Sequence, residues 1–245
     1  MGHAVVHFEI GGSDVQPLTS FYGQLFGWGL ESIPGGGYVL IDTRGGSGIN
    51  GGIGKSQTGE PWSSFYVEAD DPQAVLDKAE SLGATTAMPV TDFGGMVTIA
   101  MFNDPDGLLV GLVKSAGDPA EGEALAPSPG DGAPVDWFEV LGGDAQRTQS
   151  FYTALFGWTV KDGFKGYRTV DTGEGRGIQG GLGAGQAQWA TIYASVPDVE
   201  ATLARAEELG GSRVYGPMAV DDHMQTGALR DPAGNIFGVY HHAPH

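Results

Sequence analysis

"FYGQLFGWGLES" occupies Phe21–Ser32, and "FYTALFGWTVKD" occupies Phe151–Asp162. The same uncommon phrase is written twice in one chain of 245 residues. Other short stretches recur in the same order. Val6–Ile10 (VHFEI) corresponds to Asp136–Val140 (DWFEV), and Pro61-Trp62 to Gln188-Trp189. Leu82-Gly83-Ala84 corresponds to Leu209-Gly210-Gly211, and Asn103–Gly107 (NDPDG) to Arg230–Gly234 (RDPAG). The offset drifts only from 130 (Phe21 to Phe151) to 127 (Asp104 to Asp231). Preserved order with a slowly drifting offset is the mark of internal duplication.

Between the copies lies "SAGDPAEGEALAPSPGDGAP", Ser115–Pro134, rich in Pro, Gly, Ala and acids and poor in residues to bury. It reads as a linker. The expected organisation is therefore a first domain over 1–114, a linker over 115–132 and a second domain over 133–245.

Periodicity divides each copy further. Residues 5–10 carry the β-branched and aromatic pattern of a strand. Leu18, Phe21, Tyr22, Leu25 and Phe26 recur at helical spacing over 14–26, with Asp14 as N-cap and Gly27 as terminator. Trp28, Tyr38–Ile41 and Gly51–Gly54 begin or form three further strands. The order then restarts: a strand at 63–67, a helix at 71–82 with Asp71 as cap and Pro72 in its first turn, and strands on either side of the Asp104–Gly107 turn. The chain thus reads as four β-α-β-β-β modules in an α+β fold, each pair forming a curved antiparallel sheet around a cavity. On this reading Phe21, Tyr22, Gly27 and Trp28 and their second copies are architectural.

Thirty acids face 12 bases, for a formal charge of -18, which argues against nucleic acid and anionic membrane as partners. There is no cysteine, so disulfides, thiolate catalysis and cysteine-ligated zinc are excluded. No apolar run reaches membrane-spanning length, and no secretory signal pattern is present, so a cytoplasmic location is expected. The glycine runs at 45–48 and 51–54 lack the setting of a dinucleotide or phosphate loop.

The Phe-Tyr…Leu-Phe-Gly-Trp phrase and the Asp-Pro-x-Gly turn, in both copies, resemble the vicinal oxygen chelate superfamily of glyoxalases, extradiol dioxygenases and bleomycin-resistance-type binding proteins. The two-domain layout is similar to the mycobacterial 27 kDa antigen group, whose members carry glyoxalase-like and hydroxylase names. The resemblance implies two tandem glyoxalase-like domains, and a divalent metal held by His, Gln or Glu from the first, fifth and last strands. The positions matching that set are His7, Ser64 and Gly111 in the first copy, and Trp137, Thr191 and Gly238 in the second. The expected triad is absent from both, so no cofactor is expected and a divalent metal is disfavoured. A nonstandard ion on His7 and Glu9 is the minor alternative.

The candidate catalytic residues are His7, Glu9 and His223, the last in the "DDHMQTG" loop, where a histidine can act as acid or base near neutrality. Trp62, Tyr66, Trp137, Glu139, Trp189, Tyr193 and Tyr240 are candidate ligand-binding residues, with Gly111 and Gly238 making room. Aromatic walls with a few hydrogen-bonding groups suit a small hydrophobic or aromatic organic ligand. The C-terminal His241, His242 and His245 invite adventitious metal. The expected function is small-molecule binding of the bleomycin-resistance type, in a monomer or homodimer. The alternatives are a metal-dependent lyase, isomerase or dioxygenase, and a structural or protein-interaction role.

Overall fold

The computed structural model describes residues 3–114, 126–163, 166–173 and 175–243. In the first repeat the elements are β1 (Val5–Gly12), α1 (Val15–Phe26), β2 (Gly29–Ser32), β3 (Tyr38–Asp42), β4 (Gly51–Lys55), β5 (Trp62–Ala69), α2 (Pro72–Ser81), β6 (Thr85–Asp92), β7 (Thr98–Asn103) and β8 (Leu109–Lys114). The second repeat follows the same order: β9 (Val135–Gly142), α3 (Ala145–Phe156), β10 (Thr159–Asp162), β11 (Arg168–Asp171), β12 (Gln179–Ala184), β13 (Trp189–Ser195), α4 (Val199–Glu208), β14 (Ser212–Ala219), β15 (Met224–Arg230) and β16 (Ile236–His242). The four expected modules are present.

Each repeat contributes an eight-stranded sheet, ordered β2-β3-β4-β1-β5-β8-β7-β6 and β10-β11-β12-β9-β13-β16-β15-β14. The sheets are mixed, which corrects the antiparallel expectation. β1 runs parallel to β4, β5 to β8, β9 to β12 and β13 to β16. The reason is the helix between the first and second strands of each module, which lets the chain cross over before it pairs.

The helix signals act as expected. Asp14 Oδ1 accepts from the Gln16 amide, and Gly27 closes α1 in the left-handed region at φ 71°. Asp71 Oδ1 accepts from the Gln73 and Ala74 amides ahead of α2.

Packing divides the molecule into two compact units that do not follow the repeats. The first comprises the described residues of Met1–His7, Ser64–Leu125 and Trp137–Ala190. The second comprises those of Phe8–Ser63, Ala126–Asp136 and Thr191–His245. The first unit thus joins the later module of repeat one to the earlier module of repeat two, and the second unit joins the remaining pair.

This exchange explains the duplicated phrase. In the second unit, the Tyr22 hydroxyl donates to Asp231 Oδ2 at 3.0 Å, so the aromatic phrase of one repeat reaches the Asp-Pro-x-Gly turn of the other. Tyr22 stacks on Trp28 with centroids 5.6 Å apart and planes 6° from parallel. Trp28 Nε1 donates to the Ala133 carbonyl at 2.8 Å. The first unit repeats the arrangement. The Tyr152 hydroxyl donates to Asp104 Oδ2 at 3.0 Å, Tyr152 stacks on Trp158 at 5.9 Å, and Trp158 Nε1 donates to the His3 carbonyl at 2.7 Å. Phe21, Tyr22, Phe151 and Tyr152 are buried. Each such ring contributes about 2–3 kcal/mol from the apolar surface it removes from water.

Of the expected linker, 115–125 lies outside the described residues. The rest is docked in the second unit: Ser128 Oγ donates to Asp42 Oδ2 at 2.5 Å, and the Gly132 amide donates to the Arg44 carbonyl at 3.2 Å. No helix among the described residues is long and apolar enough to cross a membrane.

Candidate functional site

The two units carry matching clusters of a carboxylate, a phenol and an indole. In the second unit Glu9 lies on β1, Tyr38 opens β3 and Trp62 opens β5. The Tyr38 hydroxyl donates to Glu9 Oε1 at 2.7 Å. The Tyr38 ring lies over Gly52, and the Trp62 ring lies over Gly11; a Cβ at either glycine would collide with the ring. In the first unit the equivalents are Glu139 on β9, Tyr167 just before β11, and Trp189 opening β13. Trp189 Nε1 donates to Glu139 Oε2 at 2.7 Å, and the Tyr167 hydroxyl lies over Gly181, the counterpart of Gly52. Trp137 joins this copy and donates from Nε1 to the Tyr167 hydroxyl oxygen at 3.2 Å. All of these side chains are half-buried, and so meet both protein and solvent.

Strand geometry creates the clusters. Glu139 and Trp137 sit two apart on β9 and share a face. The parallel register sets Gly181 beside Glu139 and Gln179 beside Trp137. Glycine on β4 and β12 leaves the floor on which the tyrosine ring lies. The Tyr38 phenol is held far above its ordinary pKa, first by burial and then by the Glu9 carboxylate, so it stays a neutral donor.

His7 and Glu9 occupy alternate positions of β1. The His7 ring meets Tyr66 edge-on, with centroids 5.8 Å apart. Burial lowers its pKa to about 4, so it is neutral at pH 7. His223 is exposed at the turn between β14 and β15. It borders a small depression of about 250 Å³ with Asp198, Asp221, Asp222, Gln225 and His241, and none of Glu9, Tyr38 or Trp62 lines it. His245 lies outside the described residues. The Tyr240 hydroxyl donates to Asp136 Oδ1 at 2.9 Å. A cleft of about 540 Å³ in the second unit, lined by Leu25–Gly27, residues 131–134 and 195–197, Thr202, His241 and His242, includes none of the predicted binding residues.

Tyr66 and Tyr193 alter one expectation. Gly111 and Gly238 do not open space for a ligand. In register, Tyr66 pairs with Gly111 and Tyr193 with Gly238, and each ring fills the volume that a side chain on the glycine would take. Both rings are buried. The Tyr66 hydroxyl donates to Met101 Sδ at 3.7 Å, and the Tyr193 and Tyr215 hydroxyls are 3.2 Å apart.

The same packing tests the metal that the resemblance implies. Its last-strand ligand would stand at Gly111 or Gly238, where the neighbouring tyrosine leaves no room for a carboxylate. At the fifth-strand positions, Ser64 Oγ donates to the Leu109 carbonyl at 3.0 Å, and Thr191 Oγ1 donates to the Ile236 carbonyl at 2.7 Å. Among the described residues no three His, Cys, Asp or Glu side chains gather as metal ligands. The described residues at these positions do not supply the ligand set that the resemblance implies.

Tyr38 and Tyr167 were not predicted from sequence. Their signal was available: each precedes a glycine-rich strand by the same interval (Tyr38 to Gly52, Tyr167 to Gly181), and a glycine on a strand marks a place where a ring can lie.

Comparison with known proteins accords with this architecture. The model of the Glyoxalase/Bleomycin resistance protein/Dioxygenase superfamily matches residues 4–112, and the Glyoxalase-like domain model matches residues 139–240. The chain is 31% identical over 258 residues to the "Anthracycline biosynthesis protein DnrV" of Streptomyces peucetius, covering 95% of this chain and 90% of that protein. It is 29% identical over 248 residues to "Putative glyoxylase CFP32" of Mycobacterium tuberculosis, covering 95% and 92%. Among solved structures, the Mn(II)-bound glyoxalase from Novosphingobium aromaticivorans superposes with a TM-score of 0.69 at 14% identity, covering 98% of this chain and 83% of that one. The 2,3-dioxygenase LapB from Pseudomonas sp. KL28 gives 0.66 at 14% identity, covering 100% and 94%. These structures share the fold alone. The chain belongs to the glyoxalase/bleomycin resistance protein/dioxygenase superfamily.

Proposed function

We propose that this protein binds a small, planar aromatic molecule against its paired acid-phenol-indole clusters, without the divalent ion of its metal-dependent relatives. One observation carries the reading. Glu9, Tyr38 and Trp62 recur as Glu139, Tyr167 and Trp189, while a tyrosine fills the last-strand ligand position in both copies. A flat ring gains surface burial against tryptophan and tyrosine, and the carboxylate and hydroxyl orient it. The relative named for anthracycline biosynthesis fits the same ligand class, since anthracyclines are planar and polycyclic. Glu9 and Glu139 are the groups in the clusters able to accept a proton from a bound ligand, with Tyr38 and Trp189 holding them in place.

The test is titration of the full chain with an anthracycline, followed by quenching of tryptophan fluorescence. Half of the sample is pretreated with EDTA and half receives Mn(II). Equal saturable quenching in both halves supports the reading. Quenching only with Mn(II) overturns its metal-free part, and no saturable quenching overturns the binding reading.

A further inference from the structure

Each unit contains the same helix junction, and the first unit places a cation in it. There α2 packs on α3, and the Lys78 ammonium donates to the Leu155 carbonyl in the last turn of α3 at 3.0 Å. The last turn of a helix leaves carbonyls without intrahelical donors, and the aligned peptide dipoles favour positive charge beside them. In the second unit α4 packs on α1, and the residues at the matching helix positions are Arg205 and Leu25. Arg205 pairs instead with Glu208 on its own helix, at 2.9 Å. Beside the last turn of α1 lies the cleft of about 540 Å³.

The cleft wall offers what a donor-rich cation needs. Leu25 and Phe26 bring the carbonyl end of α1, and Asp131 brings a carboxylate. Thr202, also in the wall, stands where the apolar Val75 packs in the first unit. Its hydroxyl proton goes to the Asp198 carbonyl at 2.7 Å, so towards a further partner Thr202 Oγ1 is an acceptor. His241 has Nδ1 3.0 Å from the Val196 carbonyl, which directs that nitrogen to the protein. Pro134 and Val196 add apolar surface for a short chain. An ammonium has three donors and no acceptor, and the formal charge of -18 draws cations to the whole surface. We infer that this cleft is a second ligand site, apart from the aromatic clusters, for a primary ammonium on a short alkyl chain. The ligand takes in the second unit the place that the Lys78 side chain takes in the first.

Three probes separate donors, charge and chain: n-butylammonium, butyltrimethylammonium and 1-pentanol. Each is titrated into the full chain at pH 7.5 and followed by the amide NMR signals of Gly27 and Gly132, which belong to the cleft wall. Saturable shifts are expected with n-butylammonium, at about fivefold higher affinity than butyltrimethylammonium, which keeps the charge and has no N–H; 1-pentanol should bind weakest. Asp131→Asn should weaken n-butylammonium about threefold, while Glu31→Gln, an exposed change of the same charge on β2, should not. Arg205→Lys with Glu208→Ser writes the Lys78 and Ser81 pair of the first unit into the second. The internal ammonium should then compete and weaken n-butylammonium about tenfold. Should that double variant misfold, the order of the three probes on the unmodified protein decides alone. Equal binding of the three probes, equal effects of Asp131→Asn and Glu31→Gln, or full affinity in the folded double variant overturns the inference. So does the absence of saturable shifts at Gly27 and Gly132; the anthracycline titration is unaffected by any of these results.

Discussion

Removing one hydroxyl from Tyr152 should destabilise the protein more than removing the same hydroxyl from Tyr22. The two tyrosines do the same work in the two units, yet their acceptors differ. Asp231 Oδ2 accepts from Tyr22 at 3.0 Å and also from Asn235 Nδ2 at 2.8 Å. Asp104 Oδ2 accepts from Tyr152 at 3.0 Å, and the position of Asn235 is taken by Leu108, which offers only its amide to Oδ1. Both carboxylates are buried. Tyr152→Phe leaves a buried carboxylate oxygen without its donor, so the loss should be about 2–3 kcal/mol, the range for a hydrogen bond to a charged group. Tyr22→Phe should lose about 1–1.5 kcal/mol, because Asn235 still satisfies Oδ2. Urea unfolding, read by tryptophan fluorescence and circular dichroism together, measures both. The ring that stacks on Trp158 survives in the phenylalanine variant, so packing is held constant.

The sign of the pH effect follows from the same geometry. Burial raises the pKa of Asp104 in the folded protein, while the Tyr152 hydroxyl works to lower it. A raised folded pKa means that stability from this group declines as pH rises through the ordinary carboxylate range towards the folded value. Removing the hydroxyl raises that pKa further, so the penalty of Tyr152→Phe should shrink as the pH is lowered towards 4. Equal losses at both tyrosines, a larger loss at Tyr22, or a penalty that grows on acidification would refute the reasoning.

Other outcomes follow from the same structure. Gly111→Ala should lower the melting temperature by an amount equivalent to about 1–3 kcal/mol of overpacking, because the new methyl meets the buried Tyr66 ring; a variant as stable as the parent would contradict that packing. His7 is neutral when folded, with a pKa of about 4, so it withdraws stability as the pH falls from about 6.5 towards 4. His7→Gln should flatten that part of the pH–stability profile, and an unchanged profile would count against His7 as its source. Tyr38→Phe should weaken anthracycline binding several-fold while changing stability by about 1 kcal/mol or less, since it removes one part-exposed hydrogen bond to Glu9; unchanged affinity would remove Tyr38 from the binding wall.

Much of the fold could be read from particular residues. Asp14 and Gly27 bound α1 because a side-chain acceptor and a left-handed glycine do so wherever they stand. The duplicated phrase marked four modules because its aromatic spacing survives sequence drift. Strand direction was less legible: a strand's own residues do not record whether its neighbour runs parallel, and four parallel pairs were missed. Module exchange was hidden for a related reason. Tyr22 matches both Asp104 and Asp231 equally well by sequence, and only packing selects Asp231, 209 positions away. At the site, the carboxylates and indoles were legible as residue types. Their tyrosine partners were overlooked, because Tyr38 and Tyr167 act by lying over glycines on another strand, and only their constant spacing to Gly52 and Gly181 records it. The space expected at Gly111 and Gly238 was misread for the converse reason: a missing side chain can be filled from the adjacent strand as readily as by a ligand.

The most direct test of metal-free aromatic binding is native mass spectrometry of the EDTA-treated full chain with an anthracycline present. The account predicts one or two probe molecules retained per chain and no stoichiometric divalent ion. Bare protein in the presence of the probe would contradict it. So would a stoichiometric divalent ion that survives both the chelator and removal of the C-terminal histidines.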